Sequence, residues 1–160
     1  MKFSLSLLVM LMAINLTTAQ QLKTVSYKDG SQKLNGLATT NAKKNLPGVL
    51  ILPAWKGIDQ EAKTSASDLQ KAGYAVFIAD IYGEGNYPTA NAAAGKIDGK
   101  FKDDYKLYQK RIMLALDQLK KSGEIPEKIE VIGYCFGGTG AVEVARGKRP
   151  VDGEESMLGW

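Results

Sequence analysis

Histidine does not occur among the 160 residues, and cysteine occurs once, as Cys135. The first absence removes imidazole, the usual base that activates a nucleophile, from this chain. The second excludes an internal disulfide, and a thiol redox role is weak without a Cys-x-x-Cys pair or a resolving cysteine. Beyond the N-terminal stretch there is no further segment apolar enough to cross a membrane, which takes about 20 predominantly apolar residues. Clustered basic charge is missing too. The formal net charge is only +4, and lysines alternate with acids, as in Lys102-Asp103-Asp104 and Glu124 to Glu130. That is a solvated surface without a stripe suited to phosphate backbones, so nucleic acid is not an expected partner. No internal repeat occurs, and Ala92-Ala93-Ala94 is the nearest approach to low complexity.

What the chain does have begins with a leader-like segment. Lys2 supplies a positive start, and Phe3 to Leu16 are apolar except at Ser4, Ser6 and Asn15. Thr17-Thr18-Ala19 then places small residues at the −3 and −1 positions of a cleavage site before Gln20. A membrane anchor is the alternative, but the apolar stretch is short for a span. A lipoprotein signal would need a cysteine at the cleavage point. Residues 1–19 are therefore expected to be a signal peptide, with the mature chain periplasmic or secreted. A lone thiol in oxidising surroundings calls either for deep burial, since free cysteine behaves as a small hydrophobe, or for a chemical task.

The remainder alternates strands and helices. Leu22 to Tyr27 and Lys33 to Thr39 read as antiparallel strands joined at Asp29-Gly30-Ser31, followed by a polar connection from Asn41 to Pro47. Gly48 to Leu52, Tyr74 to Ala79 and Lys128 to Gly133 are short apolar runs that suit strands buried on both faces of a parallel sheet. Asp59 caps a helix to about Ala72, ended by Gly73. Asp103 to Lys121 is amphipathic, with Tyr105, Tyr108, Ile112, Ala115, Leu116 and Leu119 at helical spacing, a pattern of core residues. Ala90 to Lys100 reads as a long loop with one helical turn at most, and Ala141 to Arg146 as a small-residue helix. The pattern predicts an open, mostly parallel α/β sheet with helices on both faces. Its ligands belong beyond the carboxyl ends of the strands, where Pro53 to Gly57, Asp80 to Gly85 and Gly133 to Gly138 lie.

One segment carries chemistry. Gly133-Tyr134-Cys135-Phe136-Gly137 is a Gly-x-Cys-x-Gly form of the nucleophile elbow, a sharp strand-to-helix turn that holds its nucleophile exposed in strained backbone geometry. Gly133 and Gly137 leave room where side chains would collide. The turn sets the sulfur at a helix N-terminus, where N–H groups and the helix dipole favour negative charge. The N–H of Phe136 points to where an oxyanion would develop. Two blander readings compete. One is a tight turn around a buried cysteine. The other is a dinucleotide loop, which Cys135 opposes by standing where the middle glycine must let a pyrophosphate approach.

Gly133-Tyr134-Cys135-Phe136-Gly137-Gly138, Pro53-Ala54-Trp55-Lys56-Gly57, Gly73-Tyr74-Ala75-Val76 and Asp80-Ile81-Tyr82-Gly83-Glu84-Gly85 together resemble the dienelactone hydrolase family of the α/β-hydrolases. The resemblance runs over roughly residues 22–147. It implies a three-layer α/β-hydrolase fold, incomplete at the C-terminus. It also implies a cysteine nucleophile, Cys135, which attacks an ester or lactone carbonyl and forms an acyl-enzyme. The backbone N–H groups of Phe136 and Trp55 would form the oxyanion hole, and neither cofactor nor metal is required. The expected partner is a small-molecule ester or lactone.

Two positions depart from the family. Ala54 stands where its members carry a glutamate that helps activate the thiol, and Glu84 where they carry an arginine that binds a substrate carboxylate. A neutral or differently charged ester is therefore expected. In α/β-hydrolases the acid and the histidine follow the nucleophile in sequence. Here Asp152 and Glu154 are downstream acids with no buried strand before them, and residues 148–160 read as a patternless, disordered tail outside the family. The expected organisation is thus a leader at 1–19, the N-terminal part of a hydrolase domain at 20–147, and that tail. Two functions follow: an exported hydrolase impaired by truncation, or a non-catalytic protein that keeps only the substrate crevice.

Overall fold

The computed structural model describes residues 22–40, 45–122 and 128–147, together with the backbone of a strand at Gly153–Met157. The leader read in residues 1–19 and positions 41–44 of the polar connection lie outside the described residues. The chain runs β1 (Leu22–Asp29), β2 (Gln32–Thr39), β3 (Gly48–Leu52), α1 (Gln60–Lys71), β4 (Ala75–Ile78), α2 (Asn91–Asp103), α3 (Tyr105–Lys121), β5 (Ile129–Tyr134), α4 (Phe136–Arg146) and β6 (Gly153–Met157).

The strands form one sheet in the order β1-β2-β4-β3-β5-β6. β4, β3, β5 and β6 run parallel to one another, whereas β2 lies antiparallel to β4 and β1 antiparallel to β2. β3 is central, and all five of its residues are buried. Its alternation feeds two cores. Leu50 and Leu52 join Phe77, Ile129 and Val131 under α3 and α4, against Tyr108, Ile112, Leu116 and Phe136. Val49 and Ile51 join Val76 and Ile78 under α1, against Ala62 and Ala66. Continuous apolar strands are what a sheet covered on both faces requires.

Four elements differ from the sequence reading. Residues 91–103 form a full helix, α2, where a loop was expected. Its inward residues are Ala94, Asp98 and Phe101, one small and one charged, so the apolar periodicity that marks a helix is missing. Packing of Phe101 against Tyr82 and Tyr108 secures it instead. α3 starts at Tyr105, with the Asp104 carboxylate capping the Leu107 N–H at 3.0 Å. α4 begins at Phe136, directly after Cys135, and its first turns contain the glycines that propensity assigns to a loop. The fourth difference lies in the expected tail, where β6 pairs in parallel with β5 from Glu130↔Gly153 to Tyr134↔Met157. Gly153-Glu154-Glu155-Ser156-Met157 has no strand-like apolar pattern, and the backbone pairing with β5 carries it.

A buried ion pair ties the β1–β2 hairpin to α3. Arg111 Nε donates to Asp29 Oδ2 at 2.7 Å, and Lys110 Nζ lies 2.5 Å from Oδ1. The Asp29 and Arg111 side chains are only 6% and 8% exposed. Burial raises the Asp29 pKa, but hydrogen bonds and charge from Lys110 and Arg111 outweigh it and hold the carboxyl below its ordinary 3.8. A depressed carboxylate stabilises the fold above its unfolded value and loses that contribution as pH falls through the folded value. Asp29→Ala should leave Arg111 buried without a carboxylate, against the Ile81 carbonyl at 3.2 Å and the Phe101 ring at 6.0 Å, and should destabilise by roughly 3 kcal/mol at pH 7. Denaturant titrations should show this difference shrinking below about pH 4. An equal difference at pH 7 and pH 3 would refute the assignment.

Candidate active site

Cys135 sits between β5 and α4 with φ 50° and ψ −105°. Cys135 and Asn45 are the non-glycine residues with positive φ among the described residues. Such a conformation costs of order 1–3 kcal/mol and persists only where surrounding structure fixes it. The fixing contacts are visible. The Gly138 N–H donates to the Cys135 carbonyl at 2.9 Å, closing the first turn. A side chain at Gly133 would strike the Gly137 carbonyl, and one at Gly137 would strike the Leu52 carbonyl at the end of β3. The two glycines therefore permit an elbow tight enough to press α4 onto β3. The thiol itself is exposed.

β3 and β5 are neighbours, with Leu52 opposite Gly133, so the loop after β3 emerges beside the elbow. In that loop the Gly57 N–H donates to the Ala54 carbonyl at 2.9 Å. The structure thus brings Trp55 and Phe136, both expected as backbone donors, to the ends of adjacent strands. Lys56 Nζ lies 5.8 Å from the centre of the Trp55 ring. Lys56 and Ile58 also line an open groove of about 230 Å³ together with Asn35, Leu37, Lys63 and Tyr87.

Behind the site stands a column of aromatic rings that the sequence reading treated as core or assigned no task. Phe136 stacks on Tyr108 at 4.6 Å with the planes 2° apart, and on Tyr82 at 5.8 Å. Both hydroxyls reach backbone: Tyr82 Oη donates to the Trp55 carbonyl at 2.7 Å and Tyr108 Oη to the Phe136 carbonyl at 3.0 Å. Burial pushes the Tyr82 hydroxyl pKa well up, reinforced by the nearby Asp98 and Cys135. Burial does the same to Tyr108, helped by Tyr82 and Asp98. Asp98 binds Lys102 Nζ through Oδ2 at 2.9 Å, while its buried Oδ1 has no hydrogen-bond partner among the described residues. No sequence signal separates these tyrosines from ordinary core aromatics, because their distinguishing feature is which carbonyl each hydroxyl meets.

Two other acids near the strand ends, Asp80 and Glu84, are engaged elsewhere. Asp80 accepts from the Asn35 N–H at 2.7 Å, the Gly83 N–H at 2.8 Å and Tyr87 Oη at 2.7 Å, which braces the loop after β4. Burial and that bond to Asp80 push the Tyr87 hydroxyl up to about 12. Glu84 pairs with Lys33 at 2.8 Å and accepts from Asn35 Nδ2 at 2.8 Å, contacts that hold its carboxyl below the usual range. It therefore anchors its loop to β2. Glu154 falls within β6, and Asp152 lies outside the described residues. Among the described residues no group of three potential acidic or cysteine ligands converges to hold a metal.

Comparison with known proteins places this arrangement. The model of the dienelactone hydrolase family matches residues 34–159, reaching past Gly147 and through β6. A probable 2-oxo-3-(5-oxofuran-2-ylidene)propanoate lactonase from Bradyrhizobium sp. is 32% identical over 120 residues, which cover 74% of this chain and 48% of that protein. Among solved structures, one called m3DLH superposes with a TM-score of 0.79 at 26% identity, over 85% of this chain and 58% of its own. A dienelactone hydrolase-like promiscuous phosphotriesterase from metagenomic libraries gives 0.77 at 28% identity, over 87% of this chain and 61% of its own. The chain thus spans about half the length of the curated relative it matches, and its fold is that of the α/β-hydrolases. With the elbow, the β3 loop and the matched family region in agreement, this chain belongs to the dienelactone hydrolase family.

Proposed function

We propose that the chain supplies the nucleophile and oxyanion side of an ester- or lactone-cleaving site, with Cys135 as nucleophile. The observation that carries this reading is the exposed thiol held at positive φ at the start of α4, beside the loop that follows β3. The Cys135 thiolate attacks the substrate carbonyl carbon, a C–S bond forms, and the carbonyl π pair moves onto oxygen. The N–H groups of Phe136 and Trp55 stabilise that oxyanion. Collapse restores the C=O, breaks the C–O bond to the alcohol portion and leaves a thioester on Cys135. The departing alkoxide takes its proton from solvent. With Ala54 and Glu84 in place of the family's glutamate and arginine, neutral esters and lactones are the substrate class.

The absence of histidine favours a second reading, a binding protein whose crevice no longer does chemistry. One experiment separates the two. The purified chain is incubated with p-nitrophenyl acetate, followed by intact-mass measurement and peptide mapping. One acetyl group per chain on Cys135, missing from Cys135→Ala, is expected. Acetyl groups scattered over lysines, and unchanged by Cys135→Ala, would exclude the nucleophile and leave the binding reading.

A further inference from the structure

Each of the two candidate oxyanion donors sits in a peptide held the same way at both ends. The Trp55 N–H shares its peptide plane with the Ala54 carbonyl, which accepts from the Gly57 N–H at 2.9 Å. The Phe136 N–H shares its plane with the Cys135 carbonyl, which accepts from the Gly138 N–H at 2.9 Å. In both cases the carbonyl of the donor residue itself is taken by a tyrosine hydroxyl, Tyr82 on Trp55 and Tyr108 on Phe136. The two latches are joined, because the Phe136 ring stacks on both tyrosine rings.

We infer that Tyr82 and Tyr108 are positioning residues that aim the Trp55 and Phe136 N–H groups at one developing oxyanion, Tyr82 being the one that couples the β3 loop to the elbow. This rests on the reading of Cys135 as nucleophile. The physical need is plain: an oxyanion donor works only at about 2.7–3.1 Å from the oxygen's final position, and a small misplacement forfeits much of its effect. In the loop after β3 a backbone N–H has two neighbouring torsions free to swing it, whereas Phe136 opens α4 and is also held by the helix. The turn bond fixes the plane that carries the N–H, and the tyrosine fixes the next plane. Both hydroxyls stay protonated donors through any ordinary assay range, since burial and the nearby acid oppose their ionisation.

Two reactions of the same thiol test this. Acetylation by p-nitrophenyl acetate forms the C–S bond through an oxyanion and expels p-nitrophenolate. Alkylation by iodoacetamide displaces iodide at a saturated carbon and passes through no oxyanion. Tyr82→Phe keeps the stacked ring and removes only the hydroxyl. It should slow acetylation of Cys135 about tenfold while alkylation stays within about twofold of the unsubstituted chain. Tyr108→Phe should lower the acetylation-to-alkylation ratio as well, so the inference survives a folding failure of either variant alone, as judged by near-ultraviolet circular dichroism. A purely structural tyrosine would shift the melting temperature and leave the ratio alone. If Cys135 acetylates normally and the ratio is unmoved in a folded variant, the positioning role is wrong and the nucleophile stands. If Cys135 of the unsubstituted chain is alkylated but never acetylated, the nucleophile reading fails and takes this inference with it.

Discussion

Gly137→Ala is expected to be among the most damaging single substitutions in the chain. The added methyl group would overlap the Leu52 carbonyl and crowd the Pro53 carbonyl at 2.9 Å, both backbone atoms that cannot rotate aside. Relief requires α4 to lift from β3, which opens the core shared by Leu52, Phe136 and Ala141. Overpacking of a tight core costs about 3 kcal/mol at the upper end of its usual range, and a backbone clash belongs there. For a chain this size that is a fall in melting temperature of roughly 10 °C. The same displacement moves the elbow away from the β3 loop, so Cys135 acetylation should fall by about 100-fold or more. A Gly137→Ala protein with unchanged melting temperature and unchanged acetylation would show that the elbow is looser than its packing indicates.

With a chromogenic ester in excess, the chain should release about one equivalent of p-nitrophenolate and then nearly stop. Acylation needs only the thiolate and the oxyanion donors. Deacylation needs a base to take a proton from water, and the 160 residues contain no histidine. Asp80 is held by three donors, and Glu84 is bound to Lys33 and Asn35. Removing the base from a nucleophile–base pair typically lowers turnover by roughly 10⁴–10⁶, while binding and an oxyanion hole retain about 10³–10⁴ over water. Steady turnover at about 1 s⁻¹ or faster, abolished by Cys135→Ala, would mean that a carboxylate or tyrosine of this chain serves as base.

The parts of the fold legible in the sequence are those whose local pattern and tertiary role coincide. β3, β4 and β5 are apolar because both faces of the sheet are covered, and the elbow shows because its glycines answer a collision between backbones. α2 was not legible, since Ala94, Asp98 and Phe101 make a poor apolar stripe and the helix depends on Tyr82 and Tyr108. β6 was not legible for a related reason: two consecutive glutamates carry no strand signal, and its register comes from β5. Within the candidate site, the tight turn at Cys135 with Gly133 and Gly137 around it could be read from spacing, whereas Trp55 was offered by the family resemblance alone. The bonds from Tyr82 and Tyr108 to the Trp55 and Phe136 carbonyls could not be read, because a hydroxyl's choice of carbonyl depends on the fold around it.

The alternation along β3 has one more consequence. Leu50 and Leu52 belong to the compartment that contains Phe136 and the tyrosines, while Val49 and Ile51 belong to the compartment under α1. The two share β3 as a common wall. A small void opened on the α1 side, as by Ile51→Val, is screened from Phe136 and the tyrosines by that strand, which is hydrogen-bonded along both edges. But Tyr134, the neighbour of Cys135, packs on the α1 side and donates to Ser65 Oγ at 2.9 Å. Damage there should thus spare the stacked rings and be felt at the elbow through Tyr134, from the face of the sheet opposite to them.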